Sequence, residues 1–338
     1  PGYVKIALTE EIVEEKPVET PPVKEEEEEK PSVTPPVKEE PKEEKPSVTP
    51  EEESVGQKPS TRPIVKLPDD LPPIFEDSIA TPIYTTNTIG RVTENNLNIR
   101  EQGNASSNIV GVLNKGDVVA VHSINGNWVN ITTNDGKTGY VHKTYLKLIN
   151  QSGSPVQNRV IVIDAGHGGK DPGASNSGIV EKDITLKVAT IVKNKLEADG
   201  ARVIMTRTGD TYPTLEDRVN IALENHAEVF VSIHVNSASN TNASGTETYY
   251  SVAGNVNILE DEELAKAINS QIVNNANMRD RGVKQANFYV IKNMLLPSVL
   301  VELGFLTNPE DRAKLTDDDY IEIFGDSIYR GIVDYYRE

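Results

Sequence analysis

Two histidines and two glutamates in the second half of the chain have the types and placement needed for metal-assisted hydrolysis. They are His167 in IVIDAGHGGKDPG, Glu181 in GIVEKDITL, His234 in VFVSIHVN and Glu302 in VLVELGFLTN. Each follows a predicted strand or opens a predicted helix. In an open α/β sheet, the carboxyl ends of the strands border the crevice where ligands bind. Zinc accepts neutral imidazole nitrogen and carboxylate oxygen, and a catalytic zinc keeps one of its four positions for water. His167, Glu181 and His234 are therefore candidate ligands of one Zn2+ ion, with Asp164 and Asn236 as candidate partners orienting the imidazoles. Glu302 is then free to act as base and acid beside the metal's water. Its apolar neighbours Leu300, Leu303 and Phe305 are expected to raise its pKa by limiting solvation of the charge.

Each residue has a plainer reading when taken alone. A histidine after a strand is usually a satisfied polar residue, and Glu181 suits the start of any helix. Glu302 would ordinarily be a solvated strand end, and His226, flanked by Glu224 and Glu228, a surface residue. The glycine-rich GHGGKDPG could cradle phosphate, but it lacks the Gly-Lys-Ser/Thr ending of a P-loop. Only joint placement at one sheet edge favours a metal. On these residues alone, the chemistry is that of a zinc hydrolase acting on an amide or ester.

The elements expected to position them begin at Arg159. RVIVID, ARVIMT, EVFVSI and SVLVEL are short, nearly continuous apolar runs, as expected of strands covered on both faces. Helical patterns separate them. Ile184, Val188, Ile191, Val192 and Leu196 form one stripe, stopped by Gly200. Further helices are predicted over Leu215–Asn225, Asp261–Ala276 and Tyr320–Tyr335. The fold class is α/β, an open, mostly parallel sheet with helices on both faces.

Residues 83–150 have a different texture. GRVTENNLNIR, VGVLNKGDVVAVHSI, NWVNITT and KTGYVHKTYLKL alternate with period two and are broken by Lys-Gly, Asn-Gly and Asp-Gly turns. Such dense punctuation predicts a small β-barrel. His122 and His142 fall inside it as surface or packing residues. Trp128, the only tryptophan, is either a core residue or a ligand platform.

Residues 11–82 read as a disordered linker rich in Glu, Pro and Lys, with PPVKEEEEEKPSVT returning as PPVKEEPKEEKPSVT. Their composition cannot bury enough apolar surface to offset the entropy of ordering, which leaves an extended spacer. Most of the formal charge of −18 resides there, since residues 1–80 carry 21 acidic against 10 basic side chains. No basic stripe exists to neutralise phosphates, so nucleic acid is not an expected partner. No apolar run is long enough to span a membrane. Cysteine is absent, which removes disulfides, thiolate metal sites and thiol nucleophiles.

Two families come into view on these motifs. LNIR, the Lys115-Gly116 turn, Asn127-Trp128-Val129 and Gly139-Tyr140-Val141 resemble a bacterial SH3-type (SH3b) domain, and such domains commonly bind cell-wall peptides. PGYVKI at the start is similar to TGYVHK at 138–143, so residues 1–10 are a candidate tail of an upstream copy. From Val160 onward, VIVIDAGHGGKDPGA, EKDITL, Arg207-Thr208 with Arg218, FVSIHVN, GTETYY, RGVKQANFYVI and PSVLVELGFLTNPED occur in order. Together they resemble the zinc-dependent N-acetylmuramoyl-L-alanine amidases (Amidase_3). The resemblance implies zinc ligands at His167, Glu181 and His234 and a catalytic glutamate at Glu302. It also implies a substrate, the amide joining the lactyl group of N-acetylmuramic acid to L-Ala in peptidoglycan.

The expected organisation is an 83–150 wall-binding domain, a short linker at 151–158 and a catalytic domain at 159–338. Peptidoglycan is the expected partner of a secreted or wall-bound monomer whose signal segment precedes Pro1. Some relatives block the site with a helix inserted after GTETYY; only Ser251–Glu260 fill that gap here, which predicts an open site. Two rivals stay open: a zinc peptidase acting within the stem peptide, and an inert wall-binding protein.

Overall fold

The computed structural model describes residues 83–253 and 258–337. The expected linker and upstream tail lie outside the described residues.

Seven strands build the first layer of structure: β1 (Ile83–Val92), β2 (Leu97–Arg100), β3 (Ile109–Leu113), β4 (Val118–Asn125), β5 (Trp128–Thr132), β6 (Thr138–His142) and β7 (Leu146–Asn150). All pair antiparallel, in the order β3-β2-β6-β5-β4-β1-β7. The period-two pattern is realised in β4, where Val119, Val121 and Ile124 point inward and their neighbours face solvent. With Val92, Ile99, Val129, Ile131, Val141 and Leu148 they close one small core.

The α/β region begins with β8 (Val160–Ala165), all six residues of which are buried. A loop carrying the two-residue strands β9 (Ser175–Asn176) and β10 (Ile179–Val180) leads into α1 (Glu181–Ala198). Then come β11 (Arg202–Met205), α2 (Leu215–Glu224), β12 (Val229–Asn236), β13 (Thr246–Tyr250) and α3 (Ile258–Asn275). The chain ends with β14 (Asp280–Gln285), α4 (Tyr289–Lys292), β15 (Ser298–Phe305), α5 (Pro309–Leu315) and α6 (Asp318–Arg337).

The six long strands form one sheet in the order β11-β8-β12-β15-β13-β14. The first four are mutually parallel; β13 runs antiparallel to β15, and β14 follows β13. The mostly parallel sheet is thus as expected, with a reversed pair at one edge. Helices α1, α3 and α6 cover one face through Ile163, Val188, Ile233, Ile268, Val301 and Ile328 among others. Helices α2 and α4 cover part of the other face through Val219, Val290 and Ile291, packed on Val162, Phe230 and Leu300. Helix α2 starts with a capping box between Thr214 and Asp217.

Local pattern missed several elements. Strand β14 carries polar residues at most positions, and α4 and α5 are too short for a helical period to register. Helix α3 starts at Ile258, three residues before the expected start, and α6 runs over Asp318–Arg337. The connection expected at Ser251–Glu260 contains residues 254–257, which are outside the described residues.

Candidate metal centre and its surroundings

His167 sits in the turn after β8 with a positive φ of 60°. Glu181 is the first residue of α1, and His234 lies two residues before the end of β12. Their side chains meet. Glu181 Oε1 is 3.1 Å from His167 Nε2 and 3.0 Å from His234 Nδ1, and the two ring nitrogens are 3.2 Å apart. One donor atom from each residue lies within 4.8 Å of the others. Among the described residues, this is the one group of three or more such side chains close enough to share an ion.

The backbone is cut to fit this cluster. A Cβ on Gly166 would come within 2.5 Å of the His234 ring, and one on Gly173 within 2.5 Å of Glu181 Oε2. Neither contact is possible for a real side chain, so glycine is needed at both positions. Glu181 is further fixed by amides: Val235 N–H donates to Oε1 at 2.8 Å and Ala174 N–H to Oε2 at 2.7 Å. Burial opposes its charge, but hydrogen bonds from His167 and His234 hold its pKa far below the usual carboxylate range.

The residue that orients His167 is Asp171, whose Oδ2 lies 2.8 Å from Nδ1. Neither Asp164 nor Asn236 makes a hydrogen bond to an imidazole. Asp164 is buried under the turn and accepts from Arg218 Nη1 at 2.5 Å, Thr206 Oγ1 at 2.6 Å and Ser232 Oγ at 2.6 Å. Asn236 donates to Glu247 instead. Two guanidinium groups take up the carbonyls of the His167 turn. Arg207 donates to Ala165 O and Gly166 O, and Arg218 to Ala165 O and His167 O.

Glu302 lies inside β15, not beyond its end. It pairs in register with His234 on β12 and with Glu247 on β13, and cross-strand partners share a face of the sheet. Its Oε2 is buried and has no hydrogen-bond partner. Burial, then repulsion from Glu181 and Glu247, raises its pKa well above the usual value. The direction agrees with expectation, although two carboxylates add to the effect of the apolar neighbours. Glu247 escaped sequence reading altogether, because only the long-range register reveals it.

The other histidines lie away from this cluster. His122 Nε2 is 2.8 Å from Thr132 Oγ1, and His142 packs edge-on against Trp128 with ring centroids 5.4 Å apart. His226, expected at the surface, is half-buried; a Cβ on Gly126 of the barrel would lie 3.3 Å from its ring.

Residues 161–334 match the N-acetylmuramoyl-L-alanine amidase family, Amidase_3. The chain belongs to that family. Residues 95–147 match the bacterial SH3 domain. The amidase chain is 46% identical over 188 residues to YqiI of Bacillus subtilis strain 168, an alignment covering 56% of this chain and 90% of that protein. It is 41% identical over 191 residues to the N-acetylmuramoyl-L-alanine amidase LytC of the same strain, again 56% of this chain but 38% of LytC. The solved amidase AmiC2 of Nostoc punctiforme superposes with a TM-score of 0.50 at 36% identity, covering 55% of this chain and all of that one. No described helix is long and apolar enough to cross a membrane.

Proposed function

We propose that this amidase is a Zn2+-dependent peptidoglycan hydrolase acting at the cell wall, with His167, Glu181 and His234 as metal ligands. The observation that carries this reading is the convergence of two imidazole nitrogens and one carboxylate oxygen within 4.8 Å. Nitrogen and oxygen donors, with a position left for water, suit zinc. The glycine cradle and the unpartnered Glu302 Oε2 nearby fit the same assignment. Bound there, the ion would polarise the amide carbonyl and acidify water.

The chain's own residues supply the remainder. Asp171 fixes the His167 tautomer, leaving Nε2 free to ligate. Arg207 and Arg218 hold the turn that carries His167. Glu302, kept basic by burial and by its acidic neighbours, takes a proton from the attacking water and delivers it to the departing amine. One C–O bond forms at the lactyl carbonyl and the C–N bond to L-Ala breaks, leaving a carboxylic acid on the glycan and a free amine on the peptide. Residues 83–150 are assigned to wall binding and 159–338 to catalysis.

The test is digestion of purified peptidoglycan with and without chelator, counting newly freed N-terminal residues. Free N-terminal alanine that disappears with chelator and returns with Zn2+ supports the reading. Other new N-termini would point to a stem-peptide peptidase, and no release at all to an inert wall-binding protein.

A further inference from the structure

A second carboxylate lies directly across the strand pairing from Glu302, and it is overcompensated by cations. Glu247 is 2% exposed. Its Oε1 accepts from Asn236 Nδ2 and Tyr249 OH, each at 2.8 Å, and its Oε2 from Arg281 Nε at 2.7 Å and from Lys284 Nζ. Burial opposes its charge, but Lys284 and Arg281 hold its pKa below the usual range. One anion with two cations leaves a net positive charge.

The placement of that charge is informative. The carboxylate is inside, while the Arg281 and Lys284 side chains remain 27% and 37% exposed. His234, Glu302 and Glu247 occupy one row across neighbouring strands. The β13–β14 register shifts between Thr246 and Thr248, which leaves Arg281 and Gly282 in an irregularity opposite Glu247. The ion pair with Glu247 brings Arg281 to the end of that row. At a spacing of about 4.8 Å per strand, Arg281 is rooted roughly 10 Å from Glu302. A buried glutamate of this kind acts as a fixed anchor, presenting two partly exposed cations on the edge strand beside Glu302.

We infer that Arg281 and Lys284 form an anion subsite that receives a carboxylate of the stem peptide near the scissile amide. The inference rests on the proposed amidase reaction and adds a preference within its substrates. The lactyl carboxyl is consumed in the scissile amide, so the N-acetylated glycan half is neutral there. The negative charge belongs to the peptide half. A separation of about 10 Å matches two to three extended residues, and the reach of an arginine brings the residue after L-Ala within range. Glu247 is a positioning residue in this scheme, holding the cations against the sheet.

The test uses the full metal-loaded chain and two synthetic muramoyl peptides that differ only in the second stem residue, glutamate or glutamine. The wild type should cleave the glutamate form with about tenfold higher kcat/KM, mainly through KM, as expected for one partly solvated charge-assisted contact. Arg281→Gln and Lys284→Met should each bring that ratio toward one, and added salt should do so in the wild type. Should Arg281→Gln fail to fold, Lys284→Met, altered at a more exposed position, decides the question. Equal cleavage of the two peptides by the wild type, or an unchanged ratio in the variants, overturns the subsite alone. Cleavage of neither peptide overturns both the subsite and the proposed amidase reaction.

Discussion

At the scale of single residues, the proposed function gives Glu302 and Asp171 separable work. Glu302 has an unpartnered buried oxygen and no contact that would hold an ion by itself. Glu302→Gln should therefore lower kcat by about 10²–10⁴-fold, the usual contribution of a positioned proton carrier. Zinc content, measured by elemental analysis, should stay at the wild-type value; an active Glu302→Gln enzyme would remove Glu302 from the mechanism. Asp171 touches His167 on the nitrogen facing away from the cluster. Asp171→Ala should weaken zinc binding by about 10–100-fold, as loss of such an orienting partner usually does. Competition with a chromogenic chelator measures it, and unaltered affinity would mean that Asp171 does not orient His167. The four side chains that the fold brings close together were already candidates in the sequence, because histidine and glutamate are conspicuous beside apolar strand patterns. The sequence concealed Asp171, which in GGKDPG is indistinguishable from a turn aspartate.

At the scale of elements, the buried pair Asp164–Arg218 ties α2 to the end of β8. The same guanidinium reaches His167 O at 2.8 Å, so the helix holds the turn as well as the sheet. Replacing Arg218 by methionine leaves the Asp164 charge buried with only the Thr206 and Ser232 hydroxyls as partners. A loss of about 3–5 kcal/mol is expected, read as a shift in the urea unfolding midpoint. A change below about 1 kcal/mol would place the pair among weakly contributing ion pairs. The strands β8, β12 and β15 were legible in the sequence because burial on both faces makes them continuously apolar. GTETYY was legible as a strand too, but its reversed pairing and its neighbour β14 were not. TETYY shows alternation but no hint of its partner, and DRGVKQ bends at Gly282, whose φ is 80°. Register is a long-range property, so the row from His234 to Arg281 emerges only after folding.

At the scale of the molecule, the barrel is seated on the α/β region through buried cations. Lys147 has no exposed side-chain surface, lies 3.3 Å from Glu260 and 3.0 Å from Glu263, and sits 3.9 Å above the Tyr335 ring. Lys143, also buried, donates to the carbonyl of His226. Buried lysines of this kind cannot be foreseen in KTYLKL, which reads as an ordinary solvated edge. Histidines 142 and 226 belong to the same seam. Burial, then the Lys143 charge, lowers both, His142 to about 4. The unfolded chain therefore binds these protons more readily than the folded one. The stability they support is present above the ordinary histidine value near 6.5 and is lost as pH falls from there toward about 4. Trp128, the sole tryptophan, packs on His142 and gives the readout. Its fluorescence-detected melting temperature should drop between pH 7 and pH 5, and less so in His142→Phe. Identical pH profiles for the two proteins would rule out His142 as the source.

The Lys147 rivet has a mechanical corollary. Lys147 closes the seam from the barrel side against Glu260, Glu263 and the Tyr335 ring. Under the proposed function, a wall peptide held by the barrel would therefore lie against the same body that carries the His167 turn. Severing the seam by Lys147→Met would remove the cation that Glu260 and Glu263 share, and that loss would be felt on both sides of it at once.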